Sequence, residues 1–368
     1  MENTFKCIYC LQEKSETDFN REHVISRMFG TYENAPVLNH CEVCMECNSY
    51  FCDELENVVS LDSYEGLLRT QRIQRAHHSV GRPIGKTRLT VTGQNDMFKG
   101  LRLFISANPN NPEGIQLEIV PSVGIINNPN TSEYDYYQID NLPEFSEEIH
   151  SKMSQSASPI ITFGYNEKDV HDALENKGFD LSGAKYTSGL NLSDVTQETT
   201  LDVAIKSKVD SILSRLAAKN ILNYLCYVFG KEYLLDRRFD DLRNFVRYGI
   251  ETDGVKMCLN NGGLSGLPEK VTNGHVIGTA LATAEAPYLS GFVSWFGEIT
   301  YSFLVERLPN NNALPPMSYA ICDNTRRTIT EYNNTLLVEW PNSKYTIHVS
   351  GNIIRLVPKQ TISNGGDE

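Results

Sequence analysis

The stretch that decides the reading is Cys7–Asn48. It contains CIYC at Cys7–Cys10, FNREHVISRMFG at Phe19–Gly30 and VLNHCEVCMECN at Val37–Asn48. Two Cys-x-x-Cys pairs, Cys7 with Cys10 and Cys44 with Cys47, flank a Glu22-His23 dipeptide. One such pair is weak evidence. Two together offer four thiolates to a tetrahedral Zn2+, each pair closing a tight turn around the ion. Simple zinc ribbons place roughly 15–20 residues between their knuckles. Here residues 11–43 intervene, 33 in number, enough for a hairpin that carries other groups. Cys41 and Cys52 lie close by in sequence and leave the choice of ligand among the clustered cysteines open.

Glu22-His23, then Asn39, then Cys44-x-x-Cys47-Asn48 resembles the HNH endonucleases, whose core is the ββα-metal (His-Me finger) unit, and in particular the zinc-knuckle subgroup. The resemblance covers about residues 7–60. It implies that His23 is the general base, that Glu22 and Asn48 hold a catalytic divalent ion, and that Asn39 orients the hairpin loop carrying the base. Two departures stand out: Ser26 occupies a position where proline is common, and Glu22 stands where Asp is more frequent. Many HNH proteins join such a unit to a recognition domain in restriction or phage-defence systems, which implies DNA as the partner here.

The residue types suit phosphodiester hydrolysis on independent grounds. The reaction needs water deprotonated and positive charge beside the scissile phosphate. An imidazole near its ordinary pKa takes a proton at neutral pH. Mg2+ or Mn2+ prefers oxygen ligands and keeps several waters, so a carboxylate and an amide oxygen suit it. Each residue also has a plainer reading. The cysteines suit a non-catalytic zinc module that grips nucleic acid, His23 a buried core position, Asn39 a turn and Asn48 a helix cap. His40 is an alternative base.

The whole chain has 368 residues with 40% hydrophobic and 21% charged side chains, which suits two or three globular domains. Six of its nine cysteines precede residue 53, a distribution expected of metal ligands in a reducing compartment rather than of a disulfide framework. The first residues lack a basic start and apolar run, and no stretch has the length of apolar residues that a membrane helix needs. A cytoplasmic protein with no membrane partner is expected.

A net charge of −13 excludes a generally basic, DNA-coating surface, so nucleic acid must be met by a local patch. Residues 66–88 hold no acidic residue but include Arg69, Arg72 and Arg75, which recur every third residue and share a face if residues 62–76 are helical. They are the candidate phosphate contacts.

Beyond Asn48, residues 49–60 are expected to supply the helix of the ββα unit, with Phe51, Leu55 and Val58 or Val59 inward. Gly81, Pro83 and Gly85 read as a linker. Strands follow at 87–93, 100–107, 115–122, 133–139 and 159–165, and then a helix at 167–177 with Asn166 as its cap. A long helix is predicted over 201–229, started by Thr199 and Asp202, with a second helix ending at Gly249. Strands return from His275 to Pro358.

The expected fold class is α+β: an N-terminal zinc-stapled ββα-metal module, then a larger α+β region with antiparallel sheet and a long helix pair. Its domains are 1–80 for the nuclease and 86–368 for recognition or regulation, the latter divisible near 180–200 or 250–270. A homodimer is expected where both strands are cut, as is a gating ligand for the C-terminal region. No phosphate loop, nucleophile elbow or H-E-x-x-H motif is present elsewhere.

Overall fold

The computed structural model describes residues 3–73, 85–93, 97–107, 115–182, 202–261, 271, 273–284, 286–308, 317–341, 345–350 and 353–358. The chain divides into two compact units, residues 1–60 with 209–368, and residues 61–208. The sequence-based expectation is of domains at 1–80 and 86–368, the latter divisible near 180–200 or 250–270. The N-terminal module lacks a core of its own size and completes it with the last third of the chain.

The first unit begins with a short hairpin, Thr4–Lys6 with Glu13–Ser15. A second, two-residue pairing follows, Glu22–His23 with Val37–Leu38, in which Glu22 faces Leu38 and His23 faces Val37. The helix that completes the ββα arrangement starts at Met45, earlier than expected, and spans Met45–Phe51. It runs through a π turn, Cys52–Glu56, into a further helical segment, Asn57–Leu61. Phe51, Leu55 and Val59 form its buried side; Val58 is only partly covered. The extra residue of a π turn keeps this four-residue repeat pointed inward.

The long helix of this unit is Ser211–Phe229, shorter than the predicted 201–229. Its cap is Asp210, whose carboxylate accepts the Leu213 N–H at 3.1 Å, and Gly230 ends it at a φ of +86°. Residues 203–206 form a strand in the other unit, so Ile205 does not belong to the helical stripe; Thr199 lies outside the described residues. The helix is buried nearly all round, the pattern of a core helix rather than a surface one. The predicted second helix is broken into Lys231–Leu234, a 3-10 turn Arg237–Phe239, and Asp240–Tyr248.

The sheet beneath these helices has seven strands, ordered Met257–Asn261, Ile299–Arg307, Pro287–Trp295, Gly274–Thr283, Tyr319–Asp323 and Thr328–Tyr332, with Leu336–Glu339 added parallel to Gly274–Thr283. The other pairings are antiparallel. Gly274–Thr283 is buried on both faces, which explains why small and apolar side chains dominate it instead of alternating with exposed polar ones. Gly291 sits where the long helix presses on the sheet: a Cβ there would meet Ile221 Cγ2 at 2.2 Å. The N-terminal module packs on the same core. Phe29 stacks on Trp295 with ring centroids 4.6 Å apart, and the Asn34 amide both donates to and accepts from the Ile329 backbone, at 2.8 and 2.9 Å. Strands Tyr345–Ser350 and Ile353–Pro358 form a hairpin.

The second unit holds the helix Tyr64–Arg72, capped by Ser63, which accepts the Gly66 N–H at 2.8 Å. Its four-stranded antiparallel sheet runs in the order Val203–Lys206, Arg88–Val91, Arg102–Ala107, Ile115–Ile119. Leu67, Leu89, Val91, Leu103 and Ile105 share one core. A three-stranded sheet, Ile160–Phe163, Ser122–Asn128 and Glu133–Tyr137, packs with helices Glu147–Met153 and Glu167–Asn176 over Val123, Ile125, Val170 and Leu174. Asn166 caps the latter helix, accepting from the Asp169 N–H at 2.8 Å. Among the described residues no helix is long and apolar enough to cross a membrane.

Candidate functional site

The sulfurs of Cys7, Cys10, Cys44 and Cys47 lie within 4.8 Å of one another. Cys7 and Cys10 stand on a turn closed by the Leu11 N–H on the Cys7 carbonyl at 3.0 Å, with Leu11 in the left-handed region at a φ of 57°. Cys44 precedes the first helix and Cys47 lies on it. The Cys44 N–H donates to the Cys7 sulfur at 3.5 Å, and Cys10 and Cys44 sulfurs are 3.8 Å apart. Zn–S bonds of about 2.3 Å at tetrahedral angles also place sulfurs about 3.8 Å apart, so this donor set fits a zinc ion. Cys41 and Cys52 are outside the group. The Cys41 carbonyl instead accepts the Lys231 ammonium at 2.7 Å.

Lys14 and Arg247 meet at Glu46, next to Cys47, at 2.9 and 3.2 Å. Arg247 also lies 4.0 Å over the Tyr50 ring. These cations flank a group of thiolates that would leave a bound dication with net negative charge.

His23 and Glu22 are neighbours on one strand, and successive strand residues face opposite ways. His23 is half-buried, whereas Glu22 is 4% exposed. Burial pushes the His23 imidazole below its ordinary pKa, and the Arg27 and Arg21 guanidiniums and the Lys219 ammonium push the same way. His23 is therefore neutral at neutral pH and able to accept a proton. Arg21 and Arg27 are both exposed.

Glu22 points into a polar cluster built with the long helix. It pairs with the Lys219 ammonium, which also lies 2.7 Å from Glu56 Oε1. The Lys219 side chain is 1% exposed and that of Glu56 19%. The Asn223 amide donates to Glu22 Oε1 at 2.9 Å and to the His23 carbonyl at 3.1 Å. The Tyr9 hydroxyl donates to Asn223 Oδ1 at 2.7 Å. The Ser26 hydroxyl donates to Glu56 Oε1 at 2.6 Å, so the serine in the place of proline anchors a carboxylate. Burial works against the charge on Lys219, but Glu22 and Glu56 outweigh it and hold the ammonium above its ordinary range. Burial likewise pushes the Glu22 carboxyl up against the pull of Lys219. At Glu56 the same burial is outweighed by Lys219 and Ser26, and the carboxyl is held low.

The Asn48 amide donates to Asn20 Oδ1 at 2.8 Å and to the Arg21 carbonyl at 3.1 Å. It thereby ties the helix to the chain entering the Glu22–His23 strand, but its side chain and that of Glu22 serve different partners. As ligands for a hydrated Mg2+ or Mn2+ the pair does not fit this geometry. Glu22 is enclosed and neutralised by Lys219, and an ion that keeps several waters needs solvent that a 4% exposed residue lacks. Asn39 is exposed just past Val37–Leu38, and His40 beside it is also exposed. Arg69 and Arg72 lie on Tyr64–Arg72 in the second unit, both partly covered. Burial pushes the Arg69 guanidinium down. Arg75 lies outside the described residues.

Lys219, Glu56, Asn223 and Tyr9 were not singled out from the sequence. The signal was there in Lys219, Asn220 and Asn223, polar residues at i, i+1 and i+4 in the middle of a largely apolar helix. The arginines of the following segment serve the fold: Arg243 is buried and pairs with Asp240, and Arg238 meets Glu306 at 2.7 Å.

The N-terminal region thus brings together a two-stranded pairing, a helix that begins within the second Cys-x-x-Cys and a cluster of four cysteines. Residues 7–60 match the family described as HNH endonuclease, and the match covers the N-terminal region alone. No curated protein and no solved structure matches the chain.

Proposed function

We propose that the chain is an HNH endonuclease that hydrolyses phosphodiester bonds in DNA, with His23 taking the proton from the attacking water. The observation that carries this reading is the neutral, half-buried His23, held between exposed Arg21 and Arg27 on a module whose residues 7–60 match the endonuclease family. The two guanidiniums supply positive charge that a phosphate would meet. Zn2+ on Cys7, Cys10, Cys44 and Cys47 holds the module together. In this family's chemistry Mg2+ or Mn2+ neutralises charge on the phosphate. This chain's own contribution is to hold and move the proton at His23, to keep the strand in place through Asn223 and Asn48, and to orient the hairpin loop carrying the base through Asn39.

Residues 61–208, including Arg69 and Arg72, and the C-terminal sheet are proposed to select the target or gate cleavage, in a restriction or phage-defence setting. The enclosure of Glu22 favours a second reading, a non-catalytic zinc module that holds nucleic acid. Incubating the purified chain with supercoiled plasmid and Mg2+ or Mn2+ separates the two. Nicked or linear product supports the endonuclease. Plasmid that is retarded in a gel, with a salt-dependent affinity, but stays intact supports the binder.

A further inference from the structure

We infer that Lys219 is a tethered cation that takes the place of a divalent ion at Glu22, so that this protein's Glu22 is a positioning residue rather than a metal ligand. The inference rests on the family assignment of an ion ligand to the residue before the base histidine.

Two carboxylates, Glu22 and Glu56, converge on one ammonium. Formally the cluster carries two negative charges and one positive, and two carboxylates facing one cation are what an oxygen-liganded metal site presents. Here the cation arrives on the long helix. Each carboxylate is also held by a neutral donor on the oxygen that meets Lys219: the Asn223 amide donates to Glu22 Oε1 and the Ser26 hydroxyl to Glu56 Oε1. A buried ammonium with two carboxylates is stable where either partner alone is costly. A divalent ion bound by both carboxylates would have to displace the buried Lys219 ammonium from Glu22 and Glu56 together. Through Asn223, which also holds the His23 carbonyl, the same cluster fixes the strand on which the base stands. The work of orienting His23 therefore passes from a metal to a lysine.

The test is Mn2+ binding to the zinc-loaded full chain, followed by the loss of free Mn2+ electron paramagnetic resonance signal. Wild type and Glu22→Gln are expected to bind Mn2+ equally, within about twofold. Lys219→Met is expected to gain a Mn2+ site at least tenfold tighter than any in wild type, and Glu22→Gln combined with Lys219→Met to lose it. A wild-type Mn2+ site that Glu22→Gln weakens tenfold overturns the inference, as does a folded Lys219→Met protein that gains no site. Should Lys219→Met fail to fold, the comparison of wild type with Glu22→Gln decides, because that variant keeps the Lys219–Glu56 pair. Absence of DNA cleavage sinks the endonuclease reading and leaves the Mn2+ result standing by itself.

Discussion

His275 donates from Nε2 to the carbonyl of Phe29 across 2.7 Å, joining the C-terminal sheet to the N-terminal module. The Phe296 N–H fixes the tautomer by donating to Nδ1 at 3.3 Å. Burial pushes this imidazole down to about 4, against the Phe29 carbonyl, which works the other way. The unfolded chain binds a proton near 6.5, so it holds more protons than the native state between these values. Stability from this group is complete above pH 6.5 and is lost as pH falls toward 4. Unfolding in urea is expected to show roughly 2 kcal/mol less stability at pH 5 than at pH 7.5 from His275. In His275→Gln that part of the pH dependence should vanish; an unchanged slope in the variant would contradict the assignment.

Zinc retention distinguishes the cysteines. Cys47→Ala is expected to release the metal and, since structural zinc contributes on the order of 10 kcal/mol or more, to abolish the cooperative melting of the module. Cys41→Ala should keep one zinc per chain, because Cys41 stands outside the sulfur cluster. Elemental analysis reads both, and metal loss in Cys41→Ala instead of Cys47→Ala would reverse the ligand choice.

The buried Lys219 cluster predicts strong coupling. Lys219→Met alone leaves Glu22 and Glu56 without their cation and should cost about 3–5 kcal/mol. Adding Glu22→Gln removes one of the stranded charges and should recover part of that loss, a non-additivity of 1 kcal/mol or more in a double-mutant cycle. Strict additivity in urea melts would show that Glu22 and Lys219 do not interact.

The metal cluster was legible because four cysteines at fixed spacing encode a local geometry that little else can override. The strands from His275 onward were legible for their apolar runs, although Met257–Asn261 and Thr328–Tyr332 lacked such a run and were missed. The start of the long helix was misplaced. Ile205 and Val209 continue a helical repeat by chance, whereas Asp210 supplies the cap and Val203–Lys206 is claimed by pairing with Arg88–Val91. Glu22 illustrates what the local pattern cannot carry. Its motif position suggests a solvent-facing ligand, yet its partner, Lys219, is contributed by a helix nearly two hundred residues away in sequence.

His23→Ala measures the central claim most directly. The Lys219 cluster is joined through the His23 carbonyl, a backbone group that the substitution leaves in place, so the variant should keep its zinc and its melting temperature. Plasmid cleavage is expected to fall by a factor of about 100 to 10,000, the range of a lost general base. Cleavage at the wild-type rate by a folded, zinc-loaded His23→Ala protein would contradict the account.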